Sequence, residues 1–122
     1  MSSSVREALE AGDVGALGEL LAPDVVFRSP AVYRPYQGRE TVLALLGVVA
    51  RVFENFRYAH EWRDGGTTIL FFEANVGDRE LQGVDILEHD DDGLVTTFTV
   101  LIRPLSGLQA LSTAVTARVG GG

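Results

Sequence analysis

The stretch GVDILEHDDDGLVTTFTVLIRP, residues 83 to 104, holds two runs of alternating apolar and polar residues on either side of a turn. The first run completes a strand over 79–89, and the second predicts a strand over 94–103 that Pro104 ends. The acidic residues and glycine between them are typical of a tight hairpin turn. This stretch therefore predicts the final hairpin of an antiparallel sheet.

The residues before this hairpin extend the same pattern. FRYAHEWR (56–63) and TTILFFEANV (67–76) also alternate, and glycine-containing turns follow each of them, so residues 56–103 predict a four-stranded meander. Helical spacing over 4–11, 13–22 and 38–53, a short strand over 24–29 and a terminal helix over 106–115 complete the reading. Helices followed by strands favour an α+β fold, a curved antiparallel sheet wrapped around the long helix 38–53. We expect one domain over 1–122, with residues 115–122 frayed.

Composition narrows the classes of partner. The 122 residues carry a formal charge of -7 and no cluster of basic residues, which argues against nucleic acid. The longest apolar run is too short to cross a bilayer, and the first residues do not resemble a signal peptide, so we expect a cytoplasmic protein without a membrane partner. The chain has no Cys, hence no disulfide and no thiolate metal site.

Asp85 is the residue that most needs an explanation. It stands between Val84 and Ile86 in an apolar strand, where burial raises the pKa of a carboxyl group and an unpaired polar group is costly. Two readings are open. Asp85 is a cavity acid with a chemical role, or it pairs with Arg28 or a histidine and satisfies the core.

Three segments carry a resemblance to a known family: AGDVGALGELLAPDVVFRSP, YQGRETVLALL and GVDILEHDDDGLVTTFTVLIRP. Together they resemble the NTF2-like superfamily, the cone-shaped α+β fold of ketosteroid isomerases, limonene epoxide hydrolases and SnoaL-type cyclases. The resemblance covers roughly residues 5 to 103. It implies the fold, a cone cavity and chemistry without a cofactor.

The resemblance to ketosteroid isomerases can be followed residue by residue. It places their oxyanion-hole aspartic acid on Asp85, their general-base aspartate on Ser29 and their oxyanion-hole tyrosine near Val5. A serine without an activating partner cannot accept a proton at neutral pH. We therefore expect no steroid isomerisation by the usual mechanism, while Asp85 is kept as an acid or oxyanion donor.

Other residues are candidates for the same cavity. His60 alternates with Tyr58 and Trp62, so a His60–Asp85 pair is conceivable, although a histidine on an aromatic face is more often structural. The expected ligand contacts are Ser29, Tyr33, Tyr36, Phe27, Trp62, Leu70, Phe72, Leu87, Phe98, Val100 and Ile102. The two histidines and the acidic turn lack the spacing of a ligand motif, so we expect no metal. His89, at the strand end, is expected to be solvated.

Two functions from different classes follow. The first is binding of a hydrophobic small molecule with cofactor-free acid/base chemistry of an isomerase, cyclase, dehydratase or hydrolase type. The second is a ligand-binding or protein-interaction module that has kept the cone and lost the chemistry. In either case the outer face of the sheet carries the polar and charged residues that a solvent-exposed surface has. The resemblance implies that two copies of the chain form a homodimer through this face.

Overall fold

The computed structural model describes residues 4–120, which form four helices and one six-stranded sheet. The helices are α1 (Ser4–Ala11), α2 (Val14–Leu20), α3 (Arg39–Val52) and α4 (Leu105–Gly120). The strands are β1 (Leu21–Arg28), β2 (Tyr36–Gln37), β3 (Glu54–Asp64), β4 (Thr67–Val76), β5 (Arg79–His89) and β6 (Val95–Arg103). The expected α+β cone is confirmed.

The sheet is curved, open and mixed, with strand order β2-β1-β6-β5-β4-β3. Strands β3 to β6 form the antiparallel meander that the alternating pattern predicts. The expectation of a wholly antiparallel sheet is wrong at one pairing, because β1 lies parallel to β6. Parallel neighbours require a long connection, and here α3 and the rest of the meander separate the two strands in sequence.

The start of the sheet differs from the sequence prediction. Asp13 caps α2, and its Oδ1 accepts a hydrogen bond of 3.0 Å from the amide of Ala16. The helix ends at Leu20, before Pro23, because Leu21 and Ala22 are buried and already belong to β1. Pro23 lies in that strand where the pairing register with β6 shifts.

Helices α3 and α4 cover the concave face of the sheet, which carries the core. Gly107 lets α4 approach β5 closely, since an added Cβ there would lie 2.8 Å from the carbonyl oxygen of Glu80. Helix α4 continues to Gly120, beyond the terminal helix over 106–115 that the sequence predicted, and the fraying of this end stays a prediction. Residues 121–122 lie outside the described part of the chain.

A β-bulge divides the aromatic residues of β3 between the two sheet faces. Tyr58 pairs with Phe72, whereas His60 pairs with Phe71, so Ala59 is an extra residue on β3. The bulge moves the side chains after it to the opposite face. Tyr58 faces the concave side, and His60 lies on the outer face.

Candidate functional site

The concave sheet face and the helices over it enclose a cavity of about 400 Å³. Exposed residues from the end of α1, the loop after β1 and α4 form its mouth, among them Glu10, Val32 and Thr116. The walls are largely apolar, with five rings from Phe27, Phe53, Phe56, Phe72 and Phe98. Cavities of this size and lining are typical of small-molecule sites.

A hydrogen-bonded acid lies at the floor of this cavity. The Tyr58 hydroxyl donates to Oδ2 of Asp85 over 2.5 Å, and the two side chains come from β3 and β5. Asp85 is only 5% exposed and Tyr58 7%. Both residues line the cavity, and Oδ1 is the carboxyl oxygen that the Tyr58 hydroxyl leaves for a ligand.

The absence of a side chain at Gly83 explains how Tyr58 reaches across β4. A Cβ at Gly83 would lie 2.3 Å from Cζ of Phe72, so the Phe72 ring occupies the space that a side chain would fill. The Tyr58 ring packs edge-on against Phe72, with 6.3 Å between the ring centroids. The glycine of GVDIL thus positions the ring against which the tyrosine is oriented toward Asp85.

Burial sets the protonation of the pair. Burial raises the pKa of Asp85 from 3.8 to about 7, and the hydrogen bond from Tyr58 opposes part of that rise. At neutral pH the carboxyl group is therefore divided between its neutral and ionised forms. Burial first, and then the adjacent Asp85, raise the pKa of Tyr58 well above 10.0, so its hydroxyl keeps its proton and remains a donor.

Arg6 connects this pair to the cavity mouth. Its guanidinium lies 5.8 Å from the centroid of the Tyr58 ring and donates to the Tyr58 carbonyl oxygen over 3.3 Å. It also forms ion pairs with Glu10 at 3.5 Å and with Glu61 at 3.2 Å. Arg6 thereby fixes α1 against β3. Through its ion pair it also holds the Glu10 carboxylate at the cavity mouth, on the same side of the cavity as Tyr58.

Seven of the eleven expected ligand contacts line the cavity, and their role as ligand contacts stays a prediction: Phe27, Ser29, Tyr36, Phe72, Phe98, Val100 and Ile102. Leu70 and Leu87 are fully buried in the core beside it and do not line it. Tyr33 is fully exposed and also lies outside the lining. Its loop carries it into solvent, so the expectation of a cavity contact is wrong.

The expected His60–Asp85 pair does not form. Because of the bulge at Ala59, His60 stacks on Trp62 with 5.5 Å between centroids, on the sheet face opposite Asp85. Trp62 is 52% exposed there and does not contribute to the cavity. The partner of Asp85 is a tyrosine, rather than Arg28 or a histidine.

His89 and the acidic turn form a local structure rather than a ligand set. His89 is half-buried, and its ring nitrogens lie 3.3 Å from the Thr68 hydroxyl and 3.2 Å from the Gly93 carbonyl oxygen, so the expectation of a solvated ring is wrong. Asp90 accepts hydrogen bonds from two backbone amides of the turn. Within residues 4–120 no three His, Asp or Glu side chains group as a metal site would require.

The sequence reading missed several side chains of the site. Tyr58 was visible only as one of an alternating aromatic set, and nothing in the sequence indicated that the hydroxyl on Asp85 would come from β3. Arg6 and Glu10 lie on the first helix, and Ser112 and Thr116 line the cavity from α4. Their spacing of four residues on a helix was the available signal.

A model of the SnoaL-like domain matches residues 4–98 of the chain. The chain belongs to the SnoaL-like domain family. The family includes isomerases and cyclases, and the resemblance to the NTF2-like superfamily that the sequence indicated is confirmed. No curated protein matches this SnoaL-like chain.

Solved structures resemble it over nearly its whole length. A steroid delta-isomerase from Pseudomonas aeruginosa is 42% identical with a TM-score of 0.90, over 94% of this chain and 85% of that one. An uncharacterised Silicibacter pomeroyi protein with a cystatin-like fold is 37% identical with a TM-score of 0.92, over 96% and 83%. An NTF2-like protein of unknown function from Mesorhizobium loti, 17% identical with a TM-score of 0.72 over 81% and 84%, shares the fold alone.

Among the described helices none has the length and apolar character needed to span a membrane.

Proposed function

We propose that this SnoaL-like chain binds an apolar carbonyl compound and catalyses cofactor-free proton transfer on it. The observation that carries the proposal is the buried hydrogen bond between Tyr58 and Asp85 at the floor of an apolar cavity. A neutral carboxylic acid there donates a hydrogen bond to a carbonyl oxygen and stabilises the negative charge that oxygen gains. The pKa of about 7 keeps a neutral fraction of Asp85 available near pH 7.

Proton transfer between carbons also needs an acceptor. Within residues 4–120, Glu10 is the other carboxylate that lines the cavity. In the proposed reaction Glu10 takes a proton from the carbon next to the carbonyl group, and the C–H electron pair forms a C=C bond. The carbonyl oxygen becomes an enolate oxygen that Asp85 stabilises. Where a C=C bond lies next to the deprotonated carbon, the product is a dienolate, and return of the proton to its far carbon completes an isomerisation.

Similarity to an isomerase supports the reaction class. The Pseudomonas aeruginosa protein with 42% identity is a steroid delta-isomerase. The serine at position 29, where the resemblance places the general base of ketosteroid isomerases, argues for a different acceptor and a different substrate. The substrate of this chain is therefore proposed by chemical class only, as an apolar ketone whose neighbouring carbon carries an exchangeable hydrogen.

Deuterium exchange tests this function without knowledge of the natural substrate. Fused-ring ketones are incubated with the protein in heavy water, and deuterium next to the carbonyl group is measured by NMR. The natural protein should accelerate exchange, and Asp85→Asn and Glu10→Gln should each reduce it about a hundredfold or more. Glu7→Gln is the matched control, since Glu7 is exposed on the same helix and does not line the cavity. Equal exchange in all four proteins would rule the reaction out.

One observation favours the second candidate, a binding module without turnover. The Glu10 side chain is 39% exposed and pairs with Arg6 at 3.5 Å, so it lies at the open mouth of the cavity and proton abstraction by it would weaken an existing ion pair. Under this alternative a ketone raises the melting temperature of the natural protein, and Asp85→Asn reduces that rise, while no deuterium enters the ketone. The exchange and melting experiments together separate the two functions.

We also propose that the outer sheet face joins two copies of the chain. Trp62 and Leu101 are more than half exposed on this face. The charged residues beside them are satisfied within one chain, because Glu73 pairs with Arg57 at 3.1 Å and accepts a hydrogen bond from Gln82. A second copy presents the same apolar strip, as a two-fold contact requires. Sedimentation equilibrium should give a dimer, and Leu101→Glu a monomer. A monomeric natural protein would contradict the proposal.

A cytoplasmic location stays a prediction from the sequence.

A further inference from the structure

Helix α4 forms part of the cavity wall that faces the sheet. Together with α3 it covers the concave face, so the side chains that it adds to the lining lie across the cavity from Asp85. Residues 105–120 lie beyond the segment 4–98 that the SnoaL-like domain model matches. The family match therefore does not describe this wall, and its side chains are a feature of this chain.

One half-buried hydroxyl interrupts the helical wall within residues 4–120. Every side chain that α3 adds to the lining is aliphatic. On α4, Ser112 lies on the same helix face as three apolar lining residues, Leu108, Leu111 and Val115. Thr116 lies one turn further along and is exposed at the cavity mouth, where water satisfies its hydroxyl. Ser112 is thus the polar point of this wall that is shielded from bulk water.

The Ser112 hydroxyl is available to a ligand. A serine inside a helix can turn its hydroxyl to the carbonyl oxygen four residues earlier, but within residues 4–120 the Ser112 side chain forms no hydrogen bond. In the same part of the chain no fully buried polar side-chain atom lacks a partner, so the Ser112 oxygen is accessible from the cavity. A ligand that expels the cavity water leaves this hydroxyl unpaired unless the ligand carries a matching polar group.

The cavity is small enough for one ligand to reach both polar points. About 400 Å³ holds a single small molecule, and a carbonyl oxygen at Asp85 leaves the rest of its skeleton against the helices. We infer that Ser112 is a specificity-determining residue whose hydroxyl binds an oxygen substituent on the side of the ligand that faces α4. The substrate class is then a compact apolar ketone with a hydroxyl, ether or second keto group, rather than a plain hydrocarbon ketone. This inference rests on the proposed function, because it takes Asp85 as the contact of the reacting carbonyl.

Calorimetry with positional isomers tests the inference. The ligands are a saturated bicyclic ketone and its isomers with one hydroxyl group, each on a different ring carbon. At least one isomer should bind the natural protein about three- to tenfold more tightly than the plain ketone, as one neutral hydrogen bond does. Isomers whose hydroxyl meets an apolar part of the wall should bind more weakly than the plain ketone.

Ser112→Ala assigns the gain in affinity to one hydroxyl. The variant should bind the preferred isomer no more tightly than the plain ketone, and its affinity for the plain ketone should equal or exceed that of the natural protein. Alanine is favourable inside a helix, so the variant should fold, and its melting curve checks this. Thr113→Val is the matched control, because Thr113 is exposed beside Ser112 on α4 and does not line the cavity. Loss of the Thr113 hydroxyl should leave the gain intact.

The outcomes separate the inference from the function beneath it. A gain that survives Ser112→Ala, an equal loss in Thr113→Val, or the absence of any isomer that binds more tightly than the plain ketone overturns the role of Ser112. In each of these cases weaker binding of the plain ketone by Asp85→Leu still supports the proposed function. Absence of binding by the plain ketone and by all its isomers to the natural protein overturns both.

Discussion

Replacement of Asp85 by asparagine should change how the stability of the protein depends on pH. Asparagine has nearly the shape of aspartate and cannot ionise, so the comparison isolates the titration of one buried carboxyl group. Burial raises the pKa of that group from 3.8 to about 7 in the folded protein. The folded state therefore holds a proton that the unfolded chain releases between these two values.

The sign and magnitude follow from linkage. A raised pKa contributes stability that is fully present below the unfolded value, near pH 4, and is lost as the pH rises through about 7. A difference of roughly three pH units corresponds to about 4 kcal/mol at 1.36 kcal/mol for each unit. The natural protein should thus lose up to about 4 kcal/mol relative to Asp85→Asn between about pH 4 and pH 8.

Urea unfolding of both proteins across this pH range measures the difference directly. Asp78→Asn is the matched control, because the Asp78 side chain is 94% exposed, and its difference from the natural protein should show no comparable change. A stability difference between the natural protein and Asp85→Asn that does not vary with pH would refute the reasoning. It would mean that Asp85 ionises as readily in the folded state as in the unfolded chain.

Three further changes test the geometry of the site. Tyr58→Phe removes the hydrogen bond that lowers the pKa of Asp85. The ionised fraction of Asp85 near pH 7 should therefore fall from about a half to about a tenth or less, as measured by a carboxyl ¹³C titration. An unchanged titration midpoint of Asp85 would contradict this. Gly83→Ala forces a methyl group against Phe72 and should cost about 1–3 kcal/mol in urea unfolding, whereas a neutral change would show that Phe72 moves freely. Gly107→Ala should loosen α4 from β5 and speed amide exchange within α4; protection equal to that of the natural protein would disprove the tight contact.

Most of the fold could be predicted from periodicity and turn residues. Apolar and polar residues alternate along the four strands of the meander, and apolar residues recur at helical spacing along the long helix, as burial of one face requires. The position of β1 in the sheet could not be predicted, because a parallel pairing between segments about 70 residues apart leaves no local signal in the sequence. The same holds for the end of α2, which helical spacing placed at residue 22, because the buried residues Leu21 and Ala22 belong to β1.

Only part of the candidate site could be predicted from the sequence, for a related reason. Asp85 stands out as an acid within an apolar strand, and the resemblance to ketosteroid isomerases suggested a place in the cavity, whose lining includes it. Its partner was missed because a single extra residue, Ala59, reverses the faces of the residues after it. Simple alternation puts Tyr58 and His60 together, and the bulge separates them. The contribution of α4 to the cavity depends on tertiary packing around Gly107, which helical spacing alone does not reveal.

The infrared carbonyl stretch of a bound ketone tests the central claim most directly. A ¹³C=O-labelled fused-ring ketone is bound to the natural protein and to Asp85→Leu, which fills the site with an apolar side chain. A carbonyl that accepts a hydrogen bond from Asp85 should absorb at lower frequency in the natural protein than in an apolar solvent, and this shift should disappear in Asp85→Leu. A ketone that binds both proteins with the same apolar-solvent frequency would contradict the claim that Asp85 and Tyr58 form a carbonyl-binding acid.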